Sequence, residues 1–119
     1  MHLNQINDAL SVAAQITAAD MAAITDAGFR SVICNRPDGE SADQPTYAEI
    51  EAAAKAAGLD MRYIPVQSGF VRDEDALAFG AALRDLPKPV LAYCRSGARS
   101  SMLWSLWAAH RDTGTVAAE

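Results

Sequence analysis

Residues 94 to 100 read Cys-Arg-Ser-Gly-Ala-Arg-Ser. A thiol followed within six residues by two guanidinium groups, a glycine and two hydroxyls is a set able to hold an anion or to ionise sulfur. The preceding segment, Pro87 to Tyr93, is the most strand-like in the chain, and it would be buried on both faces if central in a sheet. Behind the set, Met102, Leu103, Leu106 and Trp107 form an apolar stripe at helical spacing, read as core, on a helix from about Ser100 to His110. The order strand, cysteine, glycine turn, helix places the sulfur beyond the carboxyl end of a strand. Parallel α/β sheets bind ligands there, against helix amino termini. Gly97 permits the tight turn, and the amides from Arg95 through Ser96, Gly97 and Ala98 to Ser100 can then converge as an anion nest. Such a setting lowers a thiol's pKa from about 8.5 towards the range of about 3.5–7.5 found for activated cysteines. Arg99 adds a planar fork suited to a tetrahedral oxyanion. Ser96 or Ser100 can donate to the sulfur or to a leaving group, and Arg95 points to the mouth. The competing reading is a surface turn with an ordinary thiol; the flanking strand and helix favour the cradle.

Short β-type runs alternate with helical segments along the chain, the pattern of a largely parallel sheet covered by helices. Leu3 to Ile6 and Ala9 to Ala13 are weak strand candidates. Thr17 precedes a helical stretch with Asp20 in its first turn and Gly28 as its stop. Arg30 to Asn35 is a β-rich run closed by a turn-forming Asn-Arg-Pro-Asp-Gly-Glu. Thr46 with Glu49 forms a capping box at the head of an alanine-rich helix ending at Gly58. Met61 to Val66 is a further strand limited by Pro65. Asp73, Glu74 and Asp75 open a helix through Arg84, their charges favoured at its positive end. The expected architecture is α/β, with a mainly parallel sheet of four or five strands flanked by helices and the active-site loop between the last strand and the helix after it.

At 119 residues the chain is read as one domain, residues 1–119. Half of the residues are apolar and 21% are charged, which suits a folded globule. No apolar run approaches the roughly 20 residues of a membrane span and no signal-peptide pattern opens the chain, so a cytoplasmic location is expected. A net charge of −5 argues against nucleic acid as a partner, while a local nest can still bind a small anion. Two cysteines are too few for a disulfide framework, and with only His2 and His110 there is no zinc-ligand spacing. Neither a metal nor a cofactor is expected.

The Cys-Arg-Ser-Gly-Ala-Arg-Ser segment, joined to Val-Ile-Cys-Asn-Arg-Pro-Asp-Gly-Glu, Tyr-Ile-Pro-Val and Pro-Val-Leu-Ala-Tyr-Cys, resembles the bacterial phosphatase-like domain associated with beta-lactamase-hydrolase-like proteins. That domain is similar in architecture to the dual-specificity protein phosphatases, and the likeness runs from about Gln5 to Ala109. It implies a cysteine-phosphatase-like fold with Cys94 and Arg99 as the catalytic pair. It leaves two reactions open, because rhodanese-type sulfurtransferases also occur among such domains. Phosphatases of this fold have five residues between cysteine and arginine, whereas four separate Cys94 from Arg99. A shorter ring of amides suggests a smaller guest. Those phosphatases also carry an aspartate just after the strand equivalent to Tyr-Ile-Pro-Val, where this chain has Gln67 and Ser68, and a histidine where it has Tyr93. Sulfite and thiolates leave without protonation. The expectation is therefore a sulfurtransferase that moves sulfane sulfur through a Cys94 persulfide to a thiol, cyanide or sulfite acceptor. Its neighbour would be a fused or associated persulfide dioxygenase or sulfide:quinone oxidoreductase. The alternatives are a phosphatase acting on a phosphorylated substrate through a Cys94 phosphocysteine, and a non-catalytic anion- or persulfide-binding module.

Other marked residues are auxiliary. The resemblance pairs the strand of Cys34 with that of Cys94, so Cys34 is a candidate to resolve oxidised Cys94; the competing reading is a small buried hydrophobe. Arg36 either extends the positive rim or pins its turn with Glu40. Asp73 either swings in as an acid or simply caps its helix. Tyr63 and Phe70 either wall the pocket or fill core. The tail from Arg111 is short, so the expectation is either a domain cut from a longer chain or a neighbour, as a second copy or a fused partner, that covers the apolar sheet.

Overall fold

A computed structural model describes residues 2–112. Its five strands are β1 (Leu3–Gln5), β2 (Leu10–Ala13), β3 (Ser31–Cys34), β4 (Asp60–Tyr63) and β5 (Val90–Tyr93). Four helices accompany them: α1 (Met21–Asp26), α2 (Tyr47–Ala56), α3 (Asp73–Asp85) and α4 (Ala98–Asp112). The sheet order is β1-β2-β5-β3-β4; β1 runs antiparallel to β2 and the other pairings are parallel. The expected α/β architecture is the observed one. β5 is the central strand, with Val90 opposite both Leu10 of β2 and Ser31 of β3.

The caps follow the sequence signals. Thr17 N–H donates to the Asp20 carboxylate (2.8 Å) and starts a single 3-10 turn, Ala18–Asp20, ahead of α1. Thr46 Oγ1 accepts from Glu49 N–H (3.2 Å) at the head of α2. Most strands are shorter than their β-prone runs: β4 stops at Tyr63 rather than Val66, where Pro65 removes a ladder donor.

Alternation along β5 divides the core. Val90 and Ala92 face a cluster with Leu10, Val12, Ile33, Phe79, Leu83, Leu103 and Trp107, beneath α3 and α4. Leu91 and Tyr93 face the opposite cluster with Ile16, Met21, Ile24, Val32, Cys34, Ile50 and Ala54, beneath α1 and α2. Each fully buried aliphatic side chain contributes roughly 1.5–3 kcal/mol, so these faces hold the sheet rigid under its loops. Among the described residues helices cover both faces, which removes the bare apolar sheet that argued for a second copy; residues 113–119 of the tail lie outside the described residues. α4 packs on α3 at Gly80, where a Cβ would sit 2.3 Å from the Trp107 ring, so only glycine allows the approach. On α4, Leu103 and Trp107 are buried and Leu106 packs against the cluster, but Met102 is exposed. At about 100° per residue, Met102 lies about 120° round the helix from the midpoint of Leu103 and Trp107, farther than Leu106, and so falls outside the buried stripe.

Candidate active site

Cys94 is the first residue beyond β5, with its backbone N–H on Ala13 carbonyl (3.3 Å). The residue is buried, at 1% exposure. Gly97 has φ +95°, a left-handed conformation that side chains resist, and this turns its N–H onto Cys94 Sγ at 3.1 Å. α4 starts one residue later, so its first turn brings more amides to the sulfur. Burial pushes the Cys94 thiol up, but hydrogen bonds from the amides of Ser100, Arg99, Ser96 and Gly97 outweigh it. The net shift is below the ordinary thiol value. The Arg95 carbonyl accepts from Gln15 N–H (3.2 Å), tying the outer side of the loop to the end of β2.

Arg99 is held by a fork. Its Nη1 and Nη2 donate to the two carboxylate oxygens of Glu40 (2.6 and 2.9 Å), and Nη1 also donates to Val66 carbonyl (2.9 Å). Glu40 holds Arg99 firmly protonated, and the guanidinium lies within hydrogen-bonding reach of Cys94. A guanidinium has five N–H donors. Those three bonds leave Nε–H and one Nη2–H, which lie along one edge, the side-on face that grips two oxygens of a tetrahedral anion. Glu40 is in turn kept ionised by Arg99, and by Arg36 despite partial burial.

The auxiliary residues divide by position. Arg36 is buried and turned away from the rim: Nε donates to Glu40 (3.0 Å) and Nη1 to Gln15 Oε1 (3.0 Å). It braces the Glu40 that orients Arg99. Cys34 is a free thiol packed in the α1–α2 cluster, opposite Tyr93 in register, and its S–H donates to Arg36 carbonyl (3.3 Å). Asp73 stands at the head of α3 with its carboxylate 3.1 Å from His110 Nε2. His110 is eleven residues along α4 from Arg99, about 16 Å of helix. Tyr63 stacks on Tyr47, and its hydroxyl accepts from Asp38 N–H (3.0 Å). Phe70 is 64% exposed. It lines a cleft of about 350 Å³ with Pro65, Val66, Gln67, Arg72 and Asp75.

Sequence reasoning missed two supports. Asn35, fully buried, accepts from Ser100 Oγ (2.8 Å) and donates through Nδ2 to Ile64 carbonyl (2.9 Å), locking the first turn of α4 to the ends of β3 and β4. Gln15 links Arg36 to the end of β2. The one signal for either was its place just after a strand; Glu40 was legible as the partner of Arg36 but not of Arg99.

Residues 2–111 match the family described as Beta-lactamase hydrolase-like protein, phosphatase-like domain. A beta-lactamase hydrolase-like protein of Agrobacterium fabrum is 37% identical over 102 residues, 86% of this chain and 24% of that protein. One of Xylella fastidiosa is 35% identical over 89% of this chain and 25% of its own length. The chain thus spans about a quarter of these curated relatives. Among solved structures, a candidate phosphatase of Neisseria meningitidis superposes with TM-score 0.85 at 34% identity, covering 90% of this chain and 76% of that one. A candidate phosphatase of Shewanella putrefaciens gives 0.78 at 27%, covering 93% and 72%.

These findings correct the expectation of a sulfurtransferase, since the family and both structural neighbours are described in phosphatase terms. The sulfane donor, the thiol, cyanide or sulfite acceptors, and the persulfide dioxygenase or sulfide:quinone oxidoreductase neighbour find no support in these comparisons. The physical reason lies in the loop-length argument. The amides of Arg99 and Ser100 belong to α4, so the size of the ring is not set by the four residues between Cys94 and Arg99. Among the described residues, no helix is long and apolar enough to cross a membrane. The chain belongs to the beta-lactamase hydrolase-like protein, phosphatase-like domain family.

Proposed function

We propose that this domain is a phosphatase with Cys94 as nucleophile. The observation that carries the reading is the convergence on one buried sulfur of the Ser96, Gly97, Arg99 and Ser100 amides and the Arg99 guanidinium. In the first step Sγ attacks phosphorus of a bound phosphoryl group. The S–P bond forms as the P–O bond to the leaving group breaks, with the electron pair departing on oxygen. Arg95, Ser96, Gly97, Ala98 and Ser100 form the loop around the phosphoryl oxygens, and the free edge of Arg99 meets two of them as charge develops. Glu40, braced by Arg36, positions Arg99. In the second step water attacks phosphorus, the P–S bond breaks, the thiolate returns, and phosphate leaves with the proton passing to solvent.

Acid quenching during turnover of p-nitrophenyl phosphate, followed by peptide mass mapping, tests this. The expected result is one phosphoryl group on Cys94 and none after Cys94→Ser. Turnover that survives Cys94→Ser would sink the reading.

A further inference from the structure

Breaking a P–O bond puts a negative charge on the departing oxygen. An alkoxide is about as basic as hydroxide, far above the range any side-chain carboxyl reaches, and a phenoxide matches an acid of about 10. The phosphate that leaves an anhydride has a relevant pKa of about 6, and a carboxylate that leaves an acyl phosphate one of about 4. A proton delivered in the transition state contributes about 10²–10⁴-fold to such a step, and it matters most for the basic leaving groups.

Around Cys94 the carboxylates are already spoken for. Glu40 accepts from both Arg99 and Arg36, so it stands as an anion. Asp38 accepts from Tyr47 N–H (2.7 Å) and Asp43 from Ser41. Asp75 accepts from Arg72 N–H (3.1 Å) at the head of α3, and Asp73 pairs with His110 well down α4. Asp20 accepts from Thr17. The segment 64–72, which descends from β4 past Val66 and the Arg99 guanidinium, contains neither Asp nor Glu, and nor do 14–17 or 94–97. Among the described residues, the loops that form the mouth therefore present donors for the phosphoryl oxygens and no carboxyl proton for the leaving oxygen.

We infer that the site selects phosphoryl groups carried on weakly basic leaving groups, with acyl phosphates and phosphoanhydrides first, aryl esters after them and alkyl esters last. The inference rests on the phosphatase reading above and specifies its substrate class. The leaving group departs as an anion, which is acceptable for a carboxylate or a phosphate and costly for an alkoxide. The second step is affected as well, since among the described residues no carboxylate at the mouth is free to take the proton of the attacking water, so phosphocysteine accumulates.

The test is kcat/KM of the full chain with acetyl phosphate, p-nitrophenyl phosphate, phenyl phosphate and glycerol phosphate. It is run on wild type, Asp73→Asn, Asp75→Asn and Cys94→Ser. The expected result is a monotonic fall, at least about 10²-fold between p-nitrophenyl and phenyl phosphate, with a pre-steady-state burst of nitrophenol approaching one per Cys94. Both aspartate variants should keep the same slope; the Asp75 amide still caps α3. A dependence flat to within a few-fold, or a selective loss on phenyl phosphate in either aspartate variant, would overturn the inference and leave the nucleophile in place. Turnover indifferent to Cys94→Ser would remove the phosphatase reading and this inference with it.

Discussion

Cys34 and Cys94 close the two neighbouring strands at the centre of the sheet and are equally hidden, at 2% and 1% exposure. Their thiols nevertheless move in opposite directions. Burial pushes Cys34 up, and its modest relief comes from hydrogen bonds with the Tyr93 hydroxyl and the Arg36 backbone, with the Asp38 charge adding to the rise. Burial pushes Cys94 up too, and four converging amides reverse it. The lesson is that dehydration by itself makes a thiol inert; what activates one is fixed dipoles aimed at it, here from a left-handed glycine and the first turn of a helix. Strand parity decides which cysteine receives them. Cys34 pairs with Tyr93 and shares its face, while Cys94, one residue later, faces the loop and α4.

The sharpest way to break the comparison is to exchange the nucleophile. Cys94→Ser should lower kcat/KM on p-nitrophenyl phosphate by at least about 10⁴-fold, the scale seen when a nucleophile is removed. Cys34→Ser should change it by less than about two-fold, as expected away from the reacting atoms. Equal losses in the two variants would show that the distinction drawn between them is false.

Next in size is the guanidinium. Arg99→Lys keeps a charge but loses the fork, and a loss of about 10²–10³ in kcat is expected, as for removal of an oxyanion donor. Glu40→Gln leaves Arg99 charged but free to turn, and a displacement near 1 Å can cost about 10²-fold. An expected 10- to 100-fold fall in kcat/KM for Glu40→Gln, with the Arg99→Lys, Glu40→Gln double variant no worse than Arg99→Lys alone, would place Glu40 behind Arg99. Additive losses would assign Glu40 a separate role.

How far each part could be read from sequence follows from chain distance. The cradle of Cys94, Gly97 and Arg99 is contiguous, and strand, turn and helix each leave a local signature. Asn35 and Glu40 reach Ser100 and Arg99 across 65 and 59 residues. Those contacts exist because the crossovers set β3 beside β5 in one register, which no local pattern states. The α/β layering was legible from alternation of the β runs. The reaction was misread for the reason that undid the loop count: amides of α4 complete the ring. Met102 was misplaced because it stands beyond the solvent edge of the stripe, about 120° round the helix from the midpoint of Leu103 and Trp107.

The pH dependence of alkylation sharpens the comparison at the level of the proton. Cys94 has its ionised form favoured, so its iodoacetamide rate should hold down to a pH below the ordinary thiol value of about 8.5. Cys34 has its neutral form favoured, so its rate should still be climbing above that value. Mass mapping of each site across pH reads both midpoints in one sample. At neutral pH an ordinary thiol is ionised to a few per cent, so a thiolate fraction above that at Cys94 and below it at Cys34 is expected. Coincident midpoints would mean that the amides do not set the difference.

The smallest expected effect concerns what Cys34 is for. Its sulfur fills space between Tyr93 and the α1–α2 cluster, so Cys34→Ala should cost about 1 kcal/mol of stability by thermal or urea unfolding, as loss of a small buried group does. The turnover rate should stay within about two-fold. A resolving role predicts something else: after mild peroxide, wild type would show a Cys34–Cys94 crosslink and recover with dithiothreitol, while the variant would lose activity permanently through overoxidation of Cys94. The packing role predicts that wild type and Cys34→Ala inactivate and recover alike. In register Cys34 stands opposite Tyr93 rather than Cys94, so its sulfur and the reactive one issue from opposite parities of the sheet, and equal recovery is the expected outcome.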